Sequence, residues 1–164
     1  MDRVQLALNV DDLDTSIAFY SRLFDTPPAK KHPGYANFAV AHPPLKLVLI
    51  ENPGQGGTIN HLGIEVDDAD AVDAIQTRLA GDGLTSLDER ATVCCYAKQD
   101  KFWVENSPNG EQWEVYTVLA DSSTYGTDGA VSALAAAGKQ APCCDSATDS
   151  EATSPAMSEP ATTL

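Results

Sequence analysis

The sequence predicts an α+β fold made of two βαβββ modules set side by side. An internal repeat, two amphipathic helices with acidic starts, and a set of alternating apolar strands predict it. Shifted by 56 positions, the segment from Val4 matches the segment from Asn60. Leu6 falls on Leu62, Leu8 on Ile64 and Val10 on Val66. Asp11, Asp12 and Asp14 fall on Asp67, Asp68 and Asp70, and Ala18, Arg22 and Leu23 on Ala74, Arg78 and Leu79. Each copy starts as a strand and passes through an Asp-rich corner into a helix. The Asp pair supplies acceptors for the orphan N–H groups of the first turn and suits the positive helix end. Gly81 and Gly83 end the second helix. After the first helix the pattern gives strands over Tyr35–Ala41 and Leu45–Glu51, closed by Asn52-Pro53-Gly54. After the second it gives Thr92–Ala97, Lys101–Glu105 and Gln112–Val118, with Asn109-Gly110 as a hairpin signal.

The expected domain covers residues 1–120, with modules of about 1–56 and 57–120. Beyond it, residues 121–164 are dominated by Ala, Ser, Thr, Gly, Pro and Asp, with Tyr125 as the last aromatic residue. Such a stretch buries too little apolar surface to offset its ordering entropy, so it is expected to be a largely disordered acidic tail. Its one helical segment, AVSALAAAG, is short and marginal alone. The net charge of −14 excludes the clustered cations that nucleic acid or an anionic membrane surface would require. No apolar run is long enough to span a membrane, and the start is too acidic for a secretory signal. A cytoplasmic location is expected. The four cysteines form two adjacent pairs, Cys94–Cys95 and Cys143–Cys144, unlike the spaced pattern of a secreted disulfide framework.

Strand alternation selects the chemistry. If Val4, Leu6, Leu8 and Val10 meet the helices, Gln5, Ala7 and Asn9 point away from them. In the repeat strand Leu62, Ile64 and Val66 face the helices, and His61, Gly63 and Glu65 do not. In the last strand Trp113 and Val115 alternate with Gln112, Glu114 and Tyr116. A carboxamide, an imidazole and a carboxylate thus share the open face, with small Ala7 and Gly63 beside them. Adjacent cysteines in a regular strand point to opposite faces; Cys94 and Cys95 share one atom only if the backbone bends there. On spacing alone, both a split pair and a bent dithiol stay open.

On these residues the chain resembles the vicinal-oxygen-chelate superfamily of glyoxalases and extradiol dioxygenases, over about residues 1–119. Similarity to that superfamily implies that Gln5, His61 and Glu114 are metal ligands, and three ligands leave open positions. The matching stretch of the first half, Leu47 to Leu49, is apolar, which argues for one site per chain. Dioxygenases of that superfamily usually carry two His and one Glu; here Gln5 stands where one His is expected. VQLALNVDDLDTSIAFYSRLF, YANFAVAHPPLKLVLIENPG, NHLGIEV, TVCCYAKQDKFWV and WEVYTVLADS together are similar to the organoarsenical carbon–arsenic lyases and to the related cadmium-induced proteins. The resemblance implies catalytic Fe(II) on Gln5, His61 and Glu114, and a trivalent organoarsenical substrate on Cys94 and Cys95. It further implies dioxygen-dependent cleavage of the carbon–arsenic bond, with release of inorganic arsenite. It also implies a substrate pocket, with Tyr96, Phe102, Trp103 and Tyr116 as candidates for its apolar lining, core packing being the alternative for Trp103, and with Lys98 to steer an anion, a solvated surface role being the alternative. A homodimer is compatible with it. The competing expectations are sequestration of cadmium or arsenite without catalysis, and a thiol transferase of the same superfamily, which would not need the cysteine pair.

Overall fold

The computed structural model describes residues 2–126. The remainder of the expected tail, its AVSALAAAG segment and Cys143–Cys144 lie outside the described residues. The elements run β1 (Arg3–Val10), α1 (Leu13–Leu23), β2 (Lys30–His32), β3 (Tyr35–Val40), β4 (Leu45–Glu51), β5 (Ile59–Glu65), α2 (Ala69–Gly81), β6 (Ser86–Cys94), β7 (Ala97–Val104) and β8 (Trp113–Asp121). These are two βαβββ modules joined into one eight-stranded sheet of order β2-β3-β4-β1-β5-β8-β7-β6. The two repeat strands pair antiparallel at its centre, and β4 and β8 flank them in parallel.

The acidic corners cap the helices. Asp12 accepts from the Thr15 N–H at 2.6 Å, and Asp68 from the Ala71 N–H at 2.8 Å. The first helix packs Leu13, Ile17 and Tyr20 against Leu6, Leu8, Phe38, Leu47 and Leu49. The second packs Val72, Ile75 and Leu79 against Ile64, Phe102 and Val115. Burying each of the large side chains contributes about 1.5–3 kcal/mol. Val4, expected on this helix-bearing face, is exposed at the end of β1. Phe102 belongs to the α2 core and does not line the opposite face. It cannot share a face with its neighbour Trp103 in a regular strand.

The helix-free face is nonetheless the better buried one in β1: Gln5, Ala7 and Asn9 are all buried. The sheet curls until its two edges meet. Lys30 of β2 donates to the Tyr96 carbonyl at 3.1 Å and pairs with Asp121 at 2.6 Å. His32 stacks on Tyr96 with ring centroids 3.7 Å apart. Among the described residues, no helix is long and apolar enough to cross a membrane.

Several expected boundaries move, and the strands expected to begin at Thr92 and Lys101 begin at Ser86 and Ala97. The strand expected over Thr92–Ala97 ends at Cys94, and Cys95 and Tyr96 form a turn between β6 and β7. Asn109-Gly110 does turn, with Gly110 at φ +85°, but within a longer connection over 105–112.

Candidate metal and thiol site

The central strands bring Gln5, His61 and Glu114 together. Register sets Gln5 opposite Gly63, Gly63 beside Glu114, and His61 opposite Ala7. Gln5 Nε2 lies 2.9 Å from His61 Nε2 and 2.8 Å from Glu114 Oε1, and the latter two atoms are 3.4 Å apart. All three side chains are buried. Gly63 makes this convergence possible: a Cβ there would lie 3.1 Å from Gln5 Cβ and 3.3 Å from Glu114 Cγ. Register also identifies the fourth wall. Val48 pairs with Ala7 as Glu114 pairs with Gly63, so an aliphatic side chain occupies the repeat-related position of the carboxylate.

The imidazole is aimed from behind. His61 Nδ1 lies 2.7 Å from Asn60 Oδ1, whose amide is oriented by its own N–H donation to Asn9 Oδ1 at 2.9 Å. Nδ1 therefore carries the hydrogen and Nε2 presents its lone pair to the cluster. The Glu114 carboxyl resists ionisation through burial, but the Lys101 ammonium beside it outweighs this and holds it well below the usual carboxylate range. Lys101 is itself buried, 3.1 Å from Glu114 Oε2 and 3.4 Å from Glu89. Lys46, on the other side, pairs with Glu65 at 3.0 Å.

The donor set fits a divalent cation. As arranged, Gln5 turns its amide N–H groups toward His61 and Glu114 and its carbonyl toward the Tyr116 hydroxyl, 2.6 Å away. That hydroxyl is also 2.7 Å from Glu65 Oε2, so two acceptors compete for one phenolic hydrogen. Reversing the amide relieves this competition but points a carbonyl oxygen at the Glu114 carboxylate, which only a cation between them makes favourable. An amide oxygen, an imidazole nitrogen and a carboxylate oxygen suit a first-row divalent ion. Among the described residues, no cluster of three or more His, Cys, Asp and Glu could hold a metal.

The thiols meet in the β6–β7 turn. Cys94 closes β6 opposite Ala97, and Cys95 and Tyr96 follow at φ +54° and +61°. Two consecutive left-handed residues define the tight hairpin that normally uses Asn-Gly. The bend sets the sulfurs 3.4 Å apart, Cys94 buried and Cys95 half-buried. Neither residue is glycine, and the conformation is held by contacts from elsewhere. The Cys95 N–H donates to the Tyr125 carbonyl at 2.8 Å, and the Ser122 N–H to the Tyr96 carbonyl at 2.9 Å. Cys95, Tyr96 and Tyr125 pack against the cluster of Ala7, Tyr35, Val48 and Ile50. The turn thus lies over the face that carries Gln5, on the side walled by Val48. Trp103 is buried with its ring centroid 5.7 Å from that of His61, and Lys98 is exposed. Sequence reasoning placed Glu65 on this face without giving it a role, and did not single out Lys101 or Lys46. Their alternation on one face with Trp103, Val48 and His61 was the available signal.

Such a curled double-module sheet, with a polar cluster on its central strands, defines a class. The sequence profile of the Glyoxalase/Bleomycin resistance protein/Dioxygenase superfamily matches residues 3–115, and the chain belongs to that superfamily. Among solved structures, it is similar to a Mn(II)-bound glyoxalase from Novosphingobium aromaticivorans (TM-score 0.53, 21% identity, 79% of this chain and 44% of that one). It is also similar to an extradiol ring-cleaving dioxygenase from B. fuscum (TM-score 0.52, 18% identity, 73% and 33%). At these identities the likeness establishes the fold. Two nearer relatives narrow the group. The cadmium-induced protein CadI of Mycobacterium tuberculosis is 59% identical over 145 residues, 88% of this chain and 94% of that protein. A trivalent organoarsenical cleaving enzyme of Thermomonospora curvata is 58% identical over 125 residues, 76% and 82%.

Proposed function

We propose that this chain is a cytoplasmic, Fe(II)-dependent carbon–arsenic lyase acting on trivalent organoarsenicals in arsenic detoxification. Gln5, His61 and Glu114 hold the metal, and Cys94 and Cys95 bind the arsenic. The observation that carries this reading is the 3.4 Å separation of the two sulfurs. Taking about 2.3 Å for each bond from sulfur to a soft centre, that spacing corresponds to an angle of roughly 95° at the shared atom. A pyramidal trivalent centre presents such an angle. The 58% identity to an organoarsenical cleaving enzyme supports the same substrate class.

The chain's own residues then have defined tasks. The thiols of Cys94 and Cys95 lose their protons and displace two oxygen ligands from trivalent arsenic. The third substituent, the methyl or aryl carbon, stays on the arsenic and is confined to the face walled by Val48. Fixing it there replaces a random encounter by an oriented one. Fe(II), when bound, supplies the activation of dioxygen. Lys101 keeps Glu114 ionised, and Asn60 keeps His61 in the tautomer with Nε2 free. The strand burial of all three ligands excludes bulk water.

The deciding experiment loads the protein with Fe(II) without oxygen, adds methylarsenite, admits air and measures arsenite. Dioxygen-dependent release of arsenite is the expected result. Tight binding of arsenite or Cd(II) with no product would leave a sequestering protein instead, a function compatible with its cadmium-induced relative.

A further inference from the structure

Tyr116 stands two residues beyond Glu114 on the same strand face, with its ring fully buried. Its hydroxyl lies 2.6 Å from Gln5 Oε1, 2.7 Å from Glu65 Oε2 and 3.0 Å from Lys46 Nζ. The lysine donates. Glu65 is held ionised against its burial by Lys46, by the Tyr116 hydroxyl and by Arg3, which bonds it at 2.8 Å. It therefore accepts. Gln5 is the one neighbour whose character changes when its amide turns over, because it offers either a carbonyl or an N–H.

We infer that Tyr116 is the positioning residue that selects which end of the Gln5 amide faces His61 and Glu114. Without a cation the phenolic hydrogen is divided between Gln5 Oε1 and Glu65, and the amide N–H groups satisfy His61 and Glu114. With a cation among the three ligands, the amide is reversed. Its N–H donates to the Tyr116 oxygen, and the phenolic hydrogen goes wholly to Glu65. No covalent bond changes; the hydroxyl only rotates. A weak neutral ligand thereby becomes a directed one, because the alternative orientation would leave a buried N–H against the cation. This inference rests on the metal site proposed above.

The test compares Mn(II) affinity, read from loss of the free-ion EPR signal, in the unaltered full chain, Tyr116→Phe, Gln5→Glu and the double variant. A carboxylate at position 5 presents oxygen in either orientation and needs no selection. Tyr116→Phe is expected to weaken Mn(II) binding roughly ten-fold or more when Gln5 is retained, and less than about three-fold in the Gln5→Glu background. Equal losses in the two backgrounds, or an unchanged affinity in folded Tyr116→Phe, would overturn the inference. A lowered thermal midpoint without a change in affinity would assign Tyr116 a packing role only. Should Tyr116→Phe fail to fold, Glu65→Gln carries the same comparison. It removes the charged acceptor of the phenolic hydrogen and should weaken Mn(II) only when Gln5 is retained; no difference between backgrounds overturns the idea. Failure of the metal reading itself looks different: His61→Ala and Glu114→Ala would then bind Mn(II) as the unaltered chain does.

Discussion

Cys94 and Cys95 are neighbours in sequence whose sulfurs stand 3.4 Å apart, because the second residue has left the strand for the left-handed region. The proposed function has both sulfurs bind one arsenic. Cys94→Ser and Cys95→Ser should each lower methylarsenite affinity by roughly 10²-fold, and the double variant little further. Bound iron should stay normal in all three, since its ligands lie on other strands. Full arsenite release by the double variant would exclude this assignment of the thiols.

Gly63 separates Gln5 from Glu114, and its substitution should be felt by both. Gly63→Ala should cost about 1–3 kcal/mol of stability through overpacking and weaken metal binding about ten-fold or more. His61→Ala and Glu114→Ala should lose bound iron altogether. Metal analysis of purified proteins, beside thermal unfolding, checks the set; full iron in both alanine variants would displace the site.

Lys101 keeps Glu114 charged in a buried place, and removing it should reveal a pH dependence. The Glu114 carboxyl is depressed in the folded state. Its contribution to stability is therefore complete above the ordinary carboxylate value of 4.5 and is lost only as pH falls through the depressed folded value. In Lys101→Met the carboxylate is stranded, and its pKa should rise above the unfolded value. The variant should lose about 3–5 kcal/mol near pH 7 and recover part of it toward pH 5, where Glu114 takes up a proton. Denaturant unfolding at the two pH values decides; a loss independent of pH would mean that the ammonium does not govern this carboxylate.

Packing continues beyond Asp121 through Ser122 and Tyr125 to the thiol turn. A chain ending at Gly126 should fold and bind arsenicals as the full chain does. One ending at Asp121 should keep the sheet but lose the Tyr125 carbonyl that accepts from Cys95, with weaker methylarsenite binding. Equal affinities in the two truncated chains would show that the turn holds its shape unaided.

Alternation made the shared face of three polar side chains legible. Gln5, His61 and Glu114 each fall out of phase with an apolar series, and a period of two is hard to misread. The thiol geometry was not legible, because Cys-Tyr carries none of the Gly or Asn signal of a tight hairpin. Its conformation is imposed from outside, by Lys30, His32 and Tyr125. The buried lysines escaped notice for a related reason: lysine is a surface residue unless paired, and the partners of Lys46 and Lys101 lie on other strands. The three-residue strand β2 is too short for its period to register, and its role is seen only where the sheet edges meet.

That edge-to-edge meeting makes the cysteine pair a gauge of the molecule's integrity. Tyr96 is gripped by residues of the opposite module, so any excursion that parts the two edges frees the turn. The sulfurs then gain solvent and lose their spacing in the same event. Reactivity toward a bulky thiol reagent and chelating power should consequently run in opposite senses. The labelling rate of Cys94 would count openings of the closed sheet, at a free energy below that of global unfolding, and a bound thiophile would stop that clock by occupying the sulfur itself.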